Sequence, residues 1–184
     1  RLWNIASGAC ERVYKGHTDE VNAVDVCADG EHFVSGSWDN TLRLWNIASG
    51  ACERVYKGHT DVVCAVAVCE DGEHFVSGSY DNTLRLWNIA SGAWEQVYKG
   101  HTHFVRAIDV CADGEHFVSG SVDNTLRLWN ITSGTCEKVY EGHTFTVYAV
   151  AVCLDGEYFV SGSSDKTLRL WNIASGACER VYKG

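Results

Sequence analysis

The sequence predicts an all-β protein built from repeated, stacked, four-stranded antiparallel sheets. The string Arg-Leu-Trp-Asn begins at Arg1, Arg43, Arg85, Arg127 and Arg169, 42 residues apart each time. A Gly-His pair places His17, His59, His101 and His143 at the same spacing. Each unit then reads as four short strand-like runs separated by turn residues, and nothing holds a helical period over a useful length. A fixed period of this size marks a repeat architecture.

The chain of 184 residues divides into a partial unit, 1–16, and four units, 17–58, 59–100, 101–142 and 143–184. The segment Arg169–Gly184 repeats Arg1–Gly16 residue for residue. No linker interrupts the array. In the first full unit, Val21-Asn22-Ala23-Val24-Asp25-Val26 alternates at period two, the pattern of a half-buried strand. Asp29-Gly30 is a turn signal, and His32–Ser37 is the second strand, ended by Asp39-Asn40. Thr41–Trp45 alternates again, Ala48-Ser49-Gly50 turns the chain, and Cys52–Tyr56 is the fourth strand. One such sheet cannot bury both of its faces, so units must stack on their neighbours.

Composition narrows the function. Apolar residues make up 46% and charged residues 21%, the usual globular range. The longest apolar runs, Val62–Cys69 and Val147–Leu154, fall far short of the ~20 residues of a membrane-crossing helix. A net charge of −9 argues against a nucleic-acid partner, which needs clustered Lys and Arg. The chain has no Met or Pro, opens on Arg1, and shows no signal or transit peptide; we expect it to begin inside a longer protein or after processing.

A unit of this length carrying Gly-His, then Ser-Gly-Ser-x-Asp, then Leu-Arg-Leu-Trp-Asn resembles the WD-repeat β-propeller family. The resemblance covers essentially the whole chain, in near-identical copies that look recently amplified. It departs from the family in ending on Trp-Asn (Trp45-Asn46 and its copies) rather than Trp-Asp, and in lacking the proline of the family's Ser-Pro-Asp-Gly turn. It implies propeller blades, each a four-stranded antiparallel sheet, with four blades and a duplicated partial blade per chain.

The resemblance also implies a structural tetrad in every blade: His17, Ser35, Asp39 and Trp45; His59, Ser77, Asp81 and Trp87; His101, Ser119, Asp123 and Trp129; His143, Ser161, Asp165 and Trp171. Ser37 and its copies are the alternative serine. Indole, hydroxyl, imidazole and carboxylate can satisfy one another in a single buried chain. A hydrolase would need one such constellation around a reachable nucleophile. Four equivalent copies favour the structural reading, and we expect no enzyme activity, no cofactor and no metal.

The nine cysteines follow the repeat. Cys27, Cys69, Cys111 and Cys153 share one position, Cys10, Cys52, Cys136 and Cys178 another where Trp94 stands in the remaining copy, and Cys64 is single. No Cys-x-x-Cys pair occurs, so buried free thiols are expected, and with them a reducing, intracellular compartment such as the cytoplasm.

Comparing the copies isolates what varies. Only three positions hold four different residues: Glu20, Val62, Phe104, Thr146; Asn22, Cys64, Arg106, Tyr148; and Trp38, Tyr80, Val122, Ser164. Strand alternation puts Glu20 and Asn22 on the face opposite Val21. In the family such positions look like those opening on the top face around the central channel. Aromatics and Arg are what binding hot spots favour, whereas tolerant surface sites carry small or charged residues. The expected function is therefore a non-enzymatic scaffold binding a protein or peptide on its top face, with a purely architectural array as the alternative. Four blades would each have to fill twice the arc of a blade in an eight-bladed ring, so we expect a homodimer closing eight blades, or a segment of a longer propeller.

Overall fold

The computed structural model describes residues 1–183. All regular structure is β. The strands β3 (Val21–Val26), β4 (His32–Ser37), β5 (Thr41–Asn46) and β6 (Cys52–Lys57) form blade 1. Blade 2 is β7 (Val63–Val68), β8 (His74–Ser79), β9 (Leu84–Asn88) and β10 (Trp94–Tyr98). Blade 3 is β11 (Val105–Val110), β12 (His116–Ser121), β13 (Leu126–Asn130) and β14 (Cys136–Tyr140). Blade 4 is β15 (Val147–Val152), β16 (Tyr158–Ser163), β17 (Thr167–Asn172) and β18 (Cys178–Lys183). The short strands β1 (Leu2–Trp3) and β2 (Cys10–Arg12) pair only with each other and form the partial blade. Each blade is an up-and-down antiparallel sheet in sequence order. Blades touch mainly through β3, β7, β11 and β15, which are therefore the inner strands.

The turns explain this regularity. Asn40, Asn82, Asn124 and Lys166 sit at φ between 64° and 70°, where Asn is tolerated better than most residues. At the other end, the Asn46 carboxamide oxygen accepts from the Ser49 amide at 2.8 Å, an Asx-type turn that leads into β6.

The core lies between blades. In the joint from blade 1 to blade 2, Cys27, Val34, Leu42, Leu44 and Tyr56 meet Val63, Phe75 and Trp87. The same set recurs one blade on, and again between blades 3 and 4. Gly36, Gly78 and Gly120 permit the close approach: a Cβ on Gly36 would lie 2.7 Å from Val63 Cγ1. Two joints carry a further clasp. Asp25 accepts from the Val68 amide at 2.8 Å, and Asp109 from the Val152 amide at 2.7 Å.

The inner strands depart from simple alternation. Val63 pairs with Ser79 but Ala65 with Gly78, so Cys64 is the extra residue of a β-bulge. Asn22, Arg106 and Tyr148 occupy the same bulge in the other blades. The bulge flips the parity of the strand. Val63 and Val66, three residues apart, both face Gly36 of the preceding blade. Simple period-two alternation places Val21 and Val24, their counterparts, on opposite faces; the extra residue brings them to the same one.

Candidate functional site

A polar belt of four side chains runs through each blade. Trp45 Nε1 donates to Ser35 Oγ at 2.8 Å, and Ser35 Oγ lies 2.7 Å from His17 Nε2. His17 Nδ1 is 2.8 Å from Asp39 Oδ2. With the proton on Nδ1, every group has its partner: indole to hydroxyl, hydroxyl to imidazole, imidazole to carboxylate. The other three blades repeat the chain, with His–Ser distances of 2.7 Å and Trp–Ser distances of 2.8 Å. Ser37 takes a different part: its hydroxyl accepts from the Asp39 amide at 3.1 Å.

A fifth side chain joins each tetrad. Thr41 Oγ1 donates to Asp39 Oδ1 at 2.6 Å, and Thr83, Thr125 and Thr167 do the same in their blades. A threonine two residues after each aspartate was visible in the repeat. Burial disfavours the ionised carboxylate, but the Thr41 and His17 hydrogen bonds outweigh it and hold the Asp39 carboxyl well below the usual range. Asp81, Asp123 and Asp165 are held low in the same way. Burial prevails at His101, whose imidazole is pushed below its ordinary value despite Asp123.

Above this belt the variable positions come together. The Trp38 amide donates to the Glu20 carbonyl at 2.8 Å, and Tyr80 to Val62, Val122 to Phe104 and Ser164 to Thr146 follow at 2.9 to 3.0 Å. Two of the three variable positions are thus stapled to one another in every blade, and the third is the bulge residue. Asn22, Cys64, Arg106 and Tyr148 converge on one small cavity of about 160 Å³.

The aromatics run across blade boundaries. Trp38 lies 6.3 Å from Tyr80, and Tyr80 stacks on Phe104 at 4.1 Å with rings 5° apart. The Arg106 guanidinium lies 5.2 Å from the Tyr80 ring centroid and 5.1 Å from that of Tyr148, and it donates to the Tyr80 hydroxyl. Trp38 and Tyr148 remain substantially exposed, as do Glu20, Asn22 and Ser164. Arg106, Phe104, Tyr80, Val122 and Thr146 are half-buried. Val62 is a correction: it is only 7% exposed, packed beneath the rim, and offers no surface to a partner. Phe145, which varies less strictly, is 61% exposed beside the same rim.

The thiols are all free, and their burial differs by position. Cys27, Cys69 and Cys111 are buried, Cys52, Cys64, Cys136 and Cys153 half-buried, Cys10 and Cys178 exposed. Burial pushes Cys69 and Cys111 up to about 12 and Cys27 up to about 11. Cys64 is also pushed up to about 12 by burial, and its thiol donates to the Val105 carbonyl.

Four-stranded blades, a Trp-Ser-His-Asp belt in each and a shared rim are the geometry against which the comparisons stand. The family model described as "WD domain, G-beta repeat" matches residues 8–46, 50–88, 92–130 and 134–172, most of the chain. The chain belongs to the WD-repeat family. Its matched segments each join the outer strand of one blade to the inner three of the next, so the WD unit straddles two sheets. Among curated proteins it is similar to guanine nucleotide-binding protein subunit beta-5b of Danio rerio, 45% identical over 42 residues, 23% of this chain and 11% of that protein. It is also similar to the ribosome biogenesis protein WDR12 homologs of Nematostella vectensis (44% over 43 residues) and Drosophila mojavensis (49% over 43 residues). Each of these two matches covers 22% of this chain and 10% of the relative. The chain thus spans about a tenth of the length of the relatives it matches. Membership brings the general role of WD repeats, a scaffold for protein interaction.

Proposed function

We propose that this WD-repeat chain binds a peptide segment of a partner protein across the rim formed by Trp38, Tyr80, Phe104, Arg106 and Tyr148. The observation that carries the reading is the Arg106 guanidinium held between two tyrosines at the only constellation of residues that differs in all four blades. Aromatic walls orient the guanidinium plane, and its remaining N–H groups suit a carboxylate taken in a fork. Trp38 supplies flat apolar area beside it. The ligand is accordingly an acidic peptide with an apolar or aromatic neighbour to its carboxylate.

Geometry supports a structural rather than catalytic use of the Ser-His-Asp chain. Ser35, Ser77, Ser119 and Ser161 are buried, and each oxygen already accepts from an indole. A nucleophile needs room for a carbonyl at that oxygen.

The test is selection of binders from a displayed random-peptide library, followed by affinity measurement on variants. Trp38→Ala and Arg106→Ala should each weaken binding at least about tenfold, while the outer-strand change Val139→Ser should leave it unchanged. Selected peptides should be rich in Asp or Glu. Ligands that survive loss of Trp38 and Arg106 together would overturn the rim as the binding surface, and no ligand at all would favour the purely architectural reading.

The same proposal completes the ring with a second copy. Two four-bladed arcs make eight blades related by a two-fold axis, the simplest closed arrangement for this chain. The second arc would also wall the open side of the cavity at Asn22 and Tyr148.

A further inference from the structure

One position of the outer strand carries a cation that reaches across to the following blade. Arg12 donates to the Ser49 carbonyl at 2.9 Å, and Arg54 to the Ser91 carbonyl at 3.1 Å. Lys138, at the same place in the repeat, donates to the Ile173 carbonyl at 3.1 Å and to the Ala174 carbonyl. Each cation thus settles on the turn between the third and fourth strands of the next blade. In blade 2 the residue at this place is Gln96. It lies against Gly134 in the corresponding turn of blade 3 but brings no charge, and no side chain takes the Ser133 carbonyl among the described residues. A cavity of about 260 Å³ opens here, lined by Asp71, His74, Glu95, Gln96, Ile131 and Thr132 among others.

The walls of this cavity suit a positive charge. Asp71 and Glu95 flank His74, 2.7 and 3.1 Å from its two ring nitrogens. The same pair of acids stands in joints 1–2 and 3–4, as Asp29 with Glu53 and Asp113 with Glu137, each joint with its Arg54 or Lys138. Joint 2–3 keeps the acids and lacks the base, so no fixed cation among the lining residues offsets their field. Glu95 meets His74 through Oε2, and its Oε1 has no partner among the described residues. Thr132 is the second peculiarity, because every other copy has alanine there: Ala6, Ala48, Ala90 and Ala174. Gln96 and Thr132 are the two lining residues that set this cavity apart from its counterparts, and each adds an uncharged acceptor oxygen.

We propose that the cavity at joint 2–3 is a second binding site, which takes one lysine or arginine side chain of a partner protein. The incoming cation stands where Arg54 and Lys138 stand in the neighbouring joints. It donates to the Ser133 carbonyl, to Glu95 Oε1 and to the oxygens of Gln96 and Thr132, all charge-assisted hydrogen bonds. Its aliphatic stem runs along Ile131 and Leu86, which also line the cavity. Glu95 and Thr132 are exposed, so the site is reachable from solvent. Asp71 lies in the β7–β8 turn and Thr132 in the β13–β14 turn, whereas Tyr80 of the rim lies in the β8–β9 turn. In up-and-down sheets these turns fall at opposite edges, so the site is remote from the rim and independent of what binds there.

The experiment is an NMR titration of the chain with end-blocked pentapeptides Gly-Ser-X-Ser-Gly, in which X is arginine, lysine or citrulline. The arginine and lysine peptides should shift the amide signals of His74, Gly114 and Thr132; citrulline, the neutral isostere of arginine, should not. Gln96→Arg installs the residue of the neighbouring joint, so it should fold as the parent does and weaken binding at least about tenfold by filling the cavity. Thr132→Ala should weaken it about threefold. The transplant Arg54→Gln with Ala90→Thr should create a second site of the same selectivity, read at the amides of Gly72 and Ala90. Silence with both basic peptides, an equal response to citrulline, or unchanged binding by Gln96→Arg overturns the site. Spermidine binding more tightly than either basic peptide overturns its assignment to a protein side chain. A folded transplant without a second site overturns the part given to Gln96 and Thr132.

Discussion

Leu126 and Leu168 stand at the same place in the same five-residue string, Thr-Leu-Arg-Leu-Trp, yet one is fully buried and the other half-exposed. The difference lies outside both blades. Leu126 packs with Val147 and Phe159 of blade 4; Leu168 has no such cluster among the described residues. In a stacked array the stability of a position belongs to the joint, and an end blade is held by one joint where an interior blade is held by two.

The largest expected effect breaks that contrast directly. Leu126→Ala should cost about 2–5 kcal/mol in urea unfolding, the price of a core cavity. Leu168→Ala in dilute, monomeric protein should cost well under half as much. Equal losses would mean the joints do not carry the core.

The tetrad should respond next. Trp87→Phe keeps most of the apolar volume but removes the donor to Ser77, a loss of about 1–3 kcal/mol. Asn88→Asp keeps the acceptor that takes the Ser91 amide at 2.9 Å, so it should change stability little. A similar loss for both variants would refute the network.

Glycine substitution sharpens the comparison of interior with end. On Gly120→Ala the new Cβ meets Val147 Cγ1 at 2.7 Å, whereas on Gly162→Ala the nearest atom is Leu168 Cδ2 at 3.3 Å. The first should cost about 1–3 kcal/mol by forcing blades apart. The second should fall within about 1 kcal/mol of neutral, since nothing beyond its own blade resists. Thermal melting of the two variants measures the difference.

The smallest effect is electrostatic, and again blade 4 differs. His32 is 2.7 Å from Asp29 and 3.2 Å from Glu53, and His74 and His116 have matching carboxylates. The Asp29 hydrogen bond raises the His32 imidazole above its ordinary value. At His74 and His116 burial works the other way, and the paired carboxylates outweigh it. Blade 4 has Tyr158 there. A raised folded value stabilises below the unfolded pKa of ~6.5, and that gain is lost as pH rises through the folded value. NMR titration should therefore place the three outer imidazoles above ~6.5 and His101 below it. A common midpoint for all four would contradict the pairing. The tetrad carboxyls act oppositely. Their depressed values stabilise above ~4, and that gain is lost only in stronger acid as pH falls through the folded values.

Much of this was written in the strands themselves. Thr41–Trp45 and His32–Ser37 alternate cleanly because each lies in a regular ladder, and their ends carry Asp-Asn or Asp-Gly turns. The inner strand misleads at Asn22, because a bulge is a backbone event that no side chain there announces; the four bulge residues share no chemistry. Thr41 is legible as well, standing two residues after the tetrad aspartate in every unit. Burial at the ends was not legible, because Leu126 and Leu168 have the same local sequence and differ only in their neighbours. The rim could be located from variation among copies, but the Tyr80–Arg106–Tyr148 sandwich depends on contacts between blades, which spacing alone does not give.

The recurrence of His-Phe-Val-Ser-Gly-Ser in β4, β8 and β12 has a kinetic consequence. No side chain distinguishes one of these strands from another, so an unfolded chain can pair a strand with the wrong sheet at nearly native enthalpy. Only the shortness of the turns makes the correct neighbour faster to find, since closing a few residues costs less entropy than closing 42 or 84. Refolding fidelity in this molecule is thus a contest of loop closures. At high concentration, where another chain's strand becomes as near as the chain's own next sheet, the contest turns against the native pairing.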